Sequence, residues 1–244
     1  SLIGVVMDNK FKMSKEDKEH TFMVIPAYNE ETRVQAVIEE IAKLGYRMII
    51  VNDGSEDRTL EKLIESQNRY PENIFILNHI INQGMGAAIR TGLEAVKRHN
   101  PKYIVNMDAD GQHAIEDIDK VCEPLVKGEA DAVIGVRPFK DMPFSKSFAN
   151  NIMNLLTRIF YRVNVSDSQT GFRAFTIDTL NKVDIRARGY IIASEFLRQF
   201  KENKIKLKEV TITTIYTPET QAKGTNAIVG LKIMFRMLKE VLFE

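Results

Sequence analysis

Through the first half of the chain, short apolar runs alternate with stretches whose apolar residues recur at helical spacing. The runs at 22–25, 48–51, 74–77, 103–107 and 132–136 are rich in Val, Ile, Leu, Met and Phe and read as strands. Between them, 31–44 carries Val34, Val37, Ile38 and Ile41 on one helical face, and a second helix capped by Ser55 or Asp57 runs through Leu60, Leu63 and Ile64. Two more helices are predicted over 86–98 and 115–125. Strands with no polar alternation are buried on both faces, so the pattern predicts an α/β fold around a mostly parallel central sheet flanked by helices.

The second half has a different rhythm. A helix is predicted over 147–163, with Phe148, Ile152, Leu155, Leu156, Ile159 and Val163 as its apolar stripe. Strands follow over 170–176 and 210–216, with a helix over 193–202 between them. The last segment, 226–244, reads as an amphipathic helix in which Lys232, Arg236, Lys239 and Glu240 form a narrow polar stripe opposite a broad apolar arc. Such a face suits either a membrane interface or a second subunit. Residues 1–20 read as a charged lead-in outside the core, and no Pro/Gly/Ser-rich linker divides the rest.

Composition narrows the function. Hydrophobic residues make up 44% and charged residues 27%, a soluble globular mixture rather than a disordered one. Lys plus Arg number 34 against 33 Asp plus Glu, so no net field draws the chain to nucleic acid. Cys122 is the single cysteine, which excludes an intrachain disulfide and any zinc site with two thiolates; it reads as buried and inert. No apolar run approaches the roughly 20 residues that span a bilayer. The expectation is a cytoplasmic protein, with a peripheral position on the cytoplasmic face of a membrane as its variant.

Polar residues collect where strands end: Pro26-Ala-Tyr28-Asn29-Glu30, Asn52-Asp53-Gly54-Ser55, Asn82-Gln83-Gly84-Met85-Gly86 and Asp108-Ala-Asp110-Gly-Gln112-His113. Four such ends on one edge of a parallel sheet describe a cleft. Alternate residues leaving a strand point the same way, so Asp108 and Asp110 can face one site and hold Mg²⁺ or Mn²⁺, with Gln112 or His113 as a neutral ligand. Of the four histidines, only His113 reads as near the cleft. A dehydrogenase fingerprint fails, since Ile89 stands where the third glycine belongs. An aspartyl-phosphatase motif would follow the first strand rather than the fourth.

Together with Ser168-Gln-Thr-Gly-Phe-Arg173, these segments resemble glycosyltransferase family 2, and within it the dolichol-phosphate mannose synthase branch, from about Thr21 to the end of the chain. The resemblance implies the GT-A fold: a Rossmann-like nucleotide-binding half, about 21–137, joined to an acceptor half, about 138–225. It implies inverting transfer from a nucleotide-sugar donor, with a polyprenyl phosphate as acceptor. Pro26, Tyr28, Glu30 and Gly84 match the nucleotide pocket, and Asp53 the aspartate that meets the base or ribose. Asp108, Asp110 and Gln112 match the metal-binding D-x-D-x-Q. Arg137 matches a basic residue near the phosphates, Lys146 and Arg173 fall on the acceptor side, and Glu195 matches a helix glutamate that would serve as base for a hydroxyl acceptor. Lys146 stands where the branch has Arg, which keeps the charge and loses the bidentate fork. With no Trp, the Q-x-x-R-W signature of processive synthases is absent. The alternatives are a catalytically weak nucleotide-sugar-binding subunit and a transferase acting on a soluble hydroxyl acceptor; a homo-oligomer is compatible with each.

Overall fold

A computed structural model describes residues 10–186, 189, 191–216, 232, 234–236 and 239. Among them, seven strands form one sheet: β1 (Thr21–Ala27), β2 (Arg47–Asp53), β3 (Ile74–His79), β4 (Tyr103–Asn106), β5 (Ala132–Val136), β6 (Arg173–Thr176) and β7 (Leu207–Thr211). Their order is β3-β2-β1-β4-β6-β5-β7, and only β6 runs antiparallel to its neighbours. The helices are α1 (Lys15–Glu19), α2 (Val34–Lys43), α3 (Thr59–Arg69), α4 (Met85–Lys97), α5 (Asp117–Val126), α6 (Phe144–Tyr161), α7 (Ile177–Lys182) and α8 (Ile192–Glu202).

Side-chain alternation along β1 splits the core in two. Met23 and Ile25 pack with Val34, Ile38 and Ile41 of α2 and Ile118 and Val121 of α5 on one face. Phe22 and Val24 pack with Ile89 and Leu93 of α4 and Phe196 and Phe200 of α8 on the other. A strand covered on both sides has no use for polar positions, which is why β1 and β2 read as unbroken apolar runs. Cys122 lies in the first of these cores, where burial pushes its thiol well above the ordinary range.

Within 10–20, two residues of the expected lead-in reach the core. Met13 is buried, Phe11 packs against the same cluster, and Ser14 caps α1 by accepting the Asp17 N–H at 3.0 Å. The charges around them masked two anchoring apolar residues. Three elements differ from the sequence expectation. Helix α6 begins at Phe144, directly after Pro143. Strand β7 is an edge strand starting at Leu207, where exposed Lys208 and Glu209 break the apolar run. Strand β6 starts only at Arg173, because 170–172 bends over the end of β4. Of the expected helix at 226–244, Lys232, Met234, Phe235, Arg236 and Lys239 are helical, and the remainder lies outside the described residues. Among the described residues, no helix is long and apolar enough to cross a membrane.

Candidate active site

Strands β1, β2, β3 and β4 run parallel, so the loops leaving them share one edge. Hydrogen bonds stitch the first two loops together. The Asn29 N–H donates to Ser55 Oγ at 3.1 Å, the Glu30 N–H to Thr59 Oγ1 at 2.8 Å, and the Glu56 N–H to Asn29 Oδ1 at 2.9 Å. Asp57 accepts the N–H groups of Thr59 and Glu31, closing the start of α3. Burial opposes ionisation of Asp57, but these bonds and the Thr59 hydroxyl hold its carboxyl below the usual range. Pro26, next to the last residue of β1, is half-buried, and Tyr28 is 43% exposed beside this double loop.

Asp53 is bound into the neighbouring loop. Its buried carboxylate faces inward: Oδ1 meets His79 Nδ1 at 2.8 Å and the Gln83 N–H at 2.9 Å, and Oδ2 accepts from Asn82 Nδ2 at 3.1 Å and the Gly84 N–H at 2.9 Å. A carboxylate offers about four acceptor positions, and here each oxygen meets two protein partners. His79, read from sequence as remote, thus belongs to the same edge as His113.

The loop after β4 holds the paired carboxylates. Gly111, at φ 76°, makes the turn by which the Gln112 N–H returns to Asp110 Oδ1 at 3.0 Å. Gln112 O accepts from the Ile215 N–H at 2.8 Å, which ties the loop to the chain leaving β7. Asp108 lies against Gly171: a β-carbon there would overlap Oδ2 and stand 2.8 Å from Cγ. Behind it, buried His113 faces Asp108 Oδ2 at 3.4 Å and packs edge-on against Phe172. Burial works against ionisation of Asp108. The His113 hydrogen bond and the charges of His113, Arg173 and Arg137 outweigh it and hold the carboxyl below its ordinary range.

Two carboxylates and the Gln112 amide are hard oxygen donors that fit Mg²⁺ or Mn²⁺. Among the described residues, no group of three His, Cys, Asp or Glu side chains is arranged to hold a metal. An ion held by Asp108 and Asp110 would therefore need further ligands, which Gln112, water or a phosphate-bearing substrate could supply.

The cationic side of the site is arranged in depth. Arg137 binds Asp167 through a fork, Nε to Oδ2 at 2.7 Å and Nη2 to Oδ1 at 2.8 Å, and Asn150 Nδ2 of α6 donates to the same Oδ1 at 3.0 Å. Burial disfavours the Arg137 charge, but Asp167 more than restores it and raises the pKa. Lys146 is depressed by burial and by Arg137, with Asp110 opposing; its Nζ lies 5.9 Å from the centre of the Tyr216 ring. Arg173 is not at the surface where an acceptor would meet it. It donates to Asn106 Oδ1 at 2.6 Å and stacks on Phe196, and burial lowers its pKa to about 10 against the pull of Asp108 and Asp167. It is the buried counter-charge beneath Asp108. Glu195 is not a solvated carboxylate either: it is buried and its Oε1 accepts the Arg186 N–H at 2.9 Å.

Asp167, Asn150, Tyr216 and His79 were missed from sequence. Asp167 stands immediately before Ser168, next to a motif already singled out, and that adjacency was its one signal. The other three gain meaning only through tertiary contacts.

Comparison with known proteins gives the family and the fold. The family model described as Glycosyl transferase family 2 matches residues 22–184. The UDP-N-acetylglucosamine–dolichyl-phosphate N-acetylglucosaminyltransferase of Methanococcus voltae is 36% identical over 236 residues, covering 89% of this chain and 94% of its own. The polyprenol monophosphomannose synthase of Mycolicibacterium smegmatis is 27% identical, covering 80% of this chain and 77% of its own. Among solved structures, glucosyl-3-phosphoglycerate synthase from Mycobacterium tuberculosis, in complex with Mn²⁺, UDP-glucose and phosphoglyceric acid, superposes with a TM-score of 0.69 at 15% identity, over 98% of this chain and 87% of that one. At that identity the likeness speaks for the fold.

Proposed function

The chain belongs to glycosyl transferase family 2, and we propose that it transfers a sugar from a nucleotide-sugar donor to the phosphate of a polyprenyl lipid, inverting the anomeric carbon. The observation that carries this reading is the row of polar strand ends leading to Asp108 and Asp110, with the cations Arg137 and Lys146 beside them. Relatives named a dolichyl-phosphate N-acetylglucosaminyltransferase and a polyprenol monophosphomannose synthase support a lipid-phosphate acceptor.

In this reading the nucleoside lies along the ends of β1 and β2, where the exposed Tyr28 ring offers a stacking face beside Pro26 and Glu30, and Gly84 opens α4 on the same edge. Asp108, Asp110 and Gln112 would hold a divalent cation, which supplies charge neutralisation to the departing nucleoside diphosphate. The acceptor's phosphate oxygen forms the new bond to the anomeric carbon as the bond to the diphosphate breaks on the opposite side. A phosphate monoester has its second pKa at about 6, so the nucleophile is already anionic at neutral pH and no general base is needed. Arg137 and Lys146 orient that anion. Glu195, engaged with the Arg186 N–H, is assigned to holding the chain ahead of α8.

The same reading makes the protein peripheral to a membrane. Helix α6 supports this: Phe144, Phe148, Leu155 and Ile159 are exposed along one face, with Arg158 and Arg162 beside them. The test is transfer of radiolabelled sugar from UDP- and GDP-sugars, with Mn²⁺, to polyprenyl phosphate or to the unphosphorylated polyprenol. Label is expected in the lipid phase with the phosphate alone. Equal transfer to the alcohol, or donor hydrolysis only, would overturn the reading.

A further inference from the structure

The chain leaving β7 is bound residue by residue to the elements around the carboxylate loop. The Ile212 N–H donates to Val136 O at 2.9 Å, next to Arg137, and the Thr213 N–H to Asp117 Oδ2 at 2.6 Å, at the start of α5. Thr214 forms an antiparallel bridge with His113, and the Ile215 N–H reaches Gln112 O at 2.8 Å. Residues 212–215 are thus tied in turn to β5, to α5 and to the loop after β4. A backbone held at this density also fixes where the next residue stands. That residue is Tyr216, half-buried, with Lys146 Nζ of α6 lying 5.9 Å from its ring centre.

The two cations of the site are secured in different ways. Arg137 is locked by its fork to Asp167. Among the described residues, no hydrogen bond or ion pair reaches Lys146 Nζ. Burial and the charge of Arg137 both disfavour its ammonium, and Asp110 favours it. A point charge on a flexible four-carbon stem has no fork geometry of its own, so its place is set by what surrounds it. The face of an aromatic ring attracts a cation within about 6 Å of its centre, and the Tyr216 ring stands inside that reach. The brace at 212–215 keeps the ring there.

We infer that Tyr216 is a positioning residue for the acceptor: its ring holds the Lys146 ammonium where the acceptor's anionic phosphate arrives. It acts on acceptor affinity through Lys146 and touches neither the donor nor the metal. This rests on the reading that Arg137 and Lys146 orient a phosphate acceptor.

The experiment follows transfer, with Mn²⁺, from the nucleotide-sugar that the wild-type chain uses to a short, water-soluble isoprenyl phosphate. It compares the full chain with Tyr216→Leu, Tyr216→Phe, Lys146→Met and Tyr216→Leu in the Lys146→Met background. Tyr216→Leu should raise the acceptor KM about fivefold, the scale of a partly buried cation–ring contact, and leave kcat near wild type. Tyr216→Phe keeps the ring and should keep the wild-type KM. In the Lys146→Met background, Tyr216→Leu should add almost nothing, since the ring then has no ammonium to hold. Calorimetric affinities for Mn²⁺ and for UDP or GDP should match the wild type in both Tyr216 variants, which a loosened Gln112 loop would not allow. Should Tyr216→Leu fail to fold, Tyr216→Ser takes its place. An unchanged acceptor KM, an equal loss in Tyr216→Phe, the same loss without Lys146, or a parallel loss of Mn²⁺ affinity would overturn this inference and leave the acceptor reading standing. A wild-type chain that transfers equally to the unphosphorylated isoprenol, or only hydrolyses the donor, would overturn the acceptor reading and this inference with it.

Discussion

At the scale of single residues, the site depends on how little room surrounds Asp108. Its carboxylate is enclosed by Gly171, His113 and the buried charge of Arg173. Gly171→Ala puts a methyl group where Oδ2 lies, so either the carboxylate turns or the 170–172 bend lifts. A shift in a group supporting a metal ligand typically costs about 10–100-fold. Gly171→Ala should therefore lower kcat/KM by roughly that factor and weaken Mn²⁺ affinity, while the melting temperature moves by only a few degrees. Unchanged Mn²⁺ affinity would separate Gly171 from the carboxylate. Asp110→Asn tests the proposed ligand. Losing one of two anionic donors should remove at least ~100-fold of turnover, about 2.7 kcal/mol of barrier, with the fold intact. Full turnover by Asp110→Asn, or by the wild-type chain in excess chelator, would remove the metal from the mechanism.

At the scale of elements, Asp167 joins parts distant in sequence: the end of β5 through Arg137, and α6 through Asn150. It is fully buried, so Asp167→Asn leaves the guanidinium short of its counter-charge. Breaking such a pair costs about 3 kcal/mol, or roughly 6–12 °C in melting temperature for a chain of this size. A thermal scan should find that loss, together with a weaker acceptor KM as Arg137 and α6 lose their common anchor. A shift under 2 °C would mean that Arg137 finds another partner. The element scale also shows what was legible in the sequence. Strands β1 to β5 and helices α2 to α5 follow from period alone, because each buries a continuous face and their ends carry the polar loops. The antiparallel insertion of β6, the docking of Phe11 and Met13, and the hub at Asp53 do not. Each depends on a partner far along the chain: β6 on β4 and β5, Phe11 on the first core, Asp53 on 79–84. Asp108 and Asp110 stood out because paired acids after an apolar strand are conspicuous. Asp53 was equally conspicuous, but its bonds to His79, Gln83 and Gly84 were not legible in the sequence.

At the scale of the whole molecule, the proposed function asks how a water-soluble donor and a lipid acceptor would meet. The strand-end edge is polar, while α6 carries Lys146 in its first turn and exposes stacked Phe144 and Phe148 at the same end. Phe144 is 85% exposed, and the stripe continues through Leu155 and Ile159 beside Arg158 and Arg162. Apolar side chains flanked by cations suit the boundary between lipid headgroups and acyl chains, and attraction to anionic lipid adds to the apolar term. Contact there would bring the acceptor's phosphate to Lys146 and Arg137 while its chain stays in the bilayer. Sedimentation with vesicles containing anionic lipid should therefore retain the protein, more weakly as salt rises. Burying a phenylalanine side chain contributes about 1.5 kcal/mol, so Phe144→Ser and Phe148→Ser should each lower vesicle affinity roughly tenfold. Both should leave turnover of a short, water-soluble isoprenyl phosphate near wild type, since neither side chain is part of the carboxylate site. Loss of turnover on that soluble acceptor would mean the two rings shape the site itself. A chain that ignores anionic vesicles at low salt would assign the α6 stripe to protein contact and favour an acceptor presented in solution.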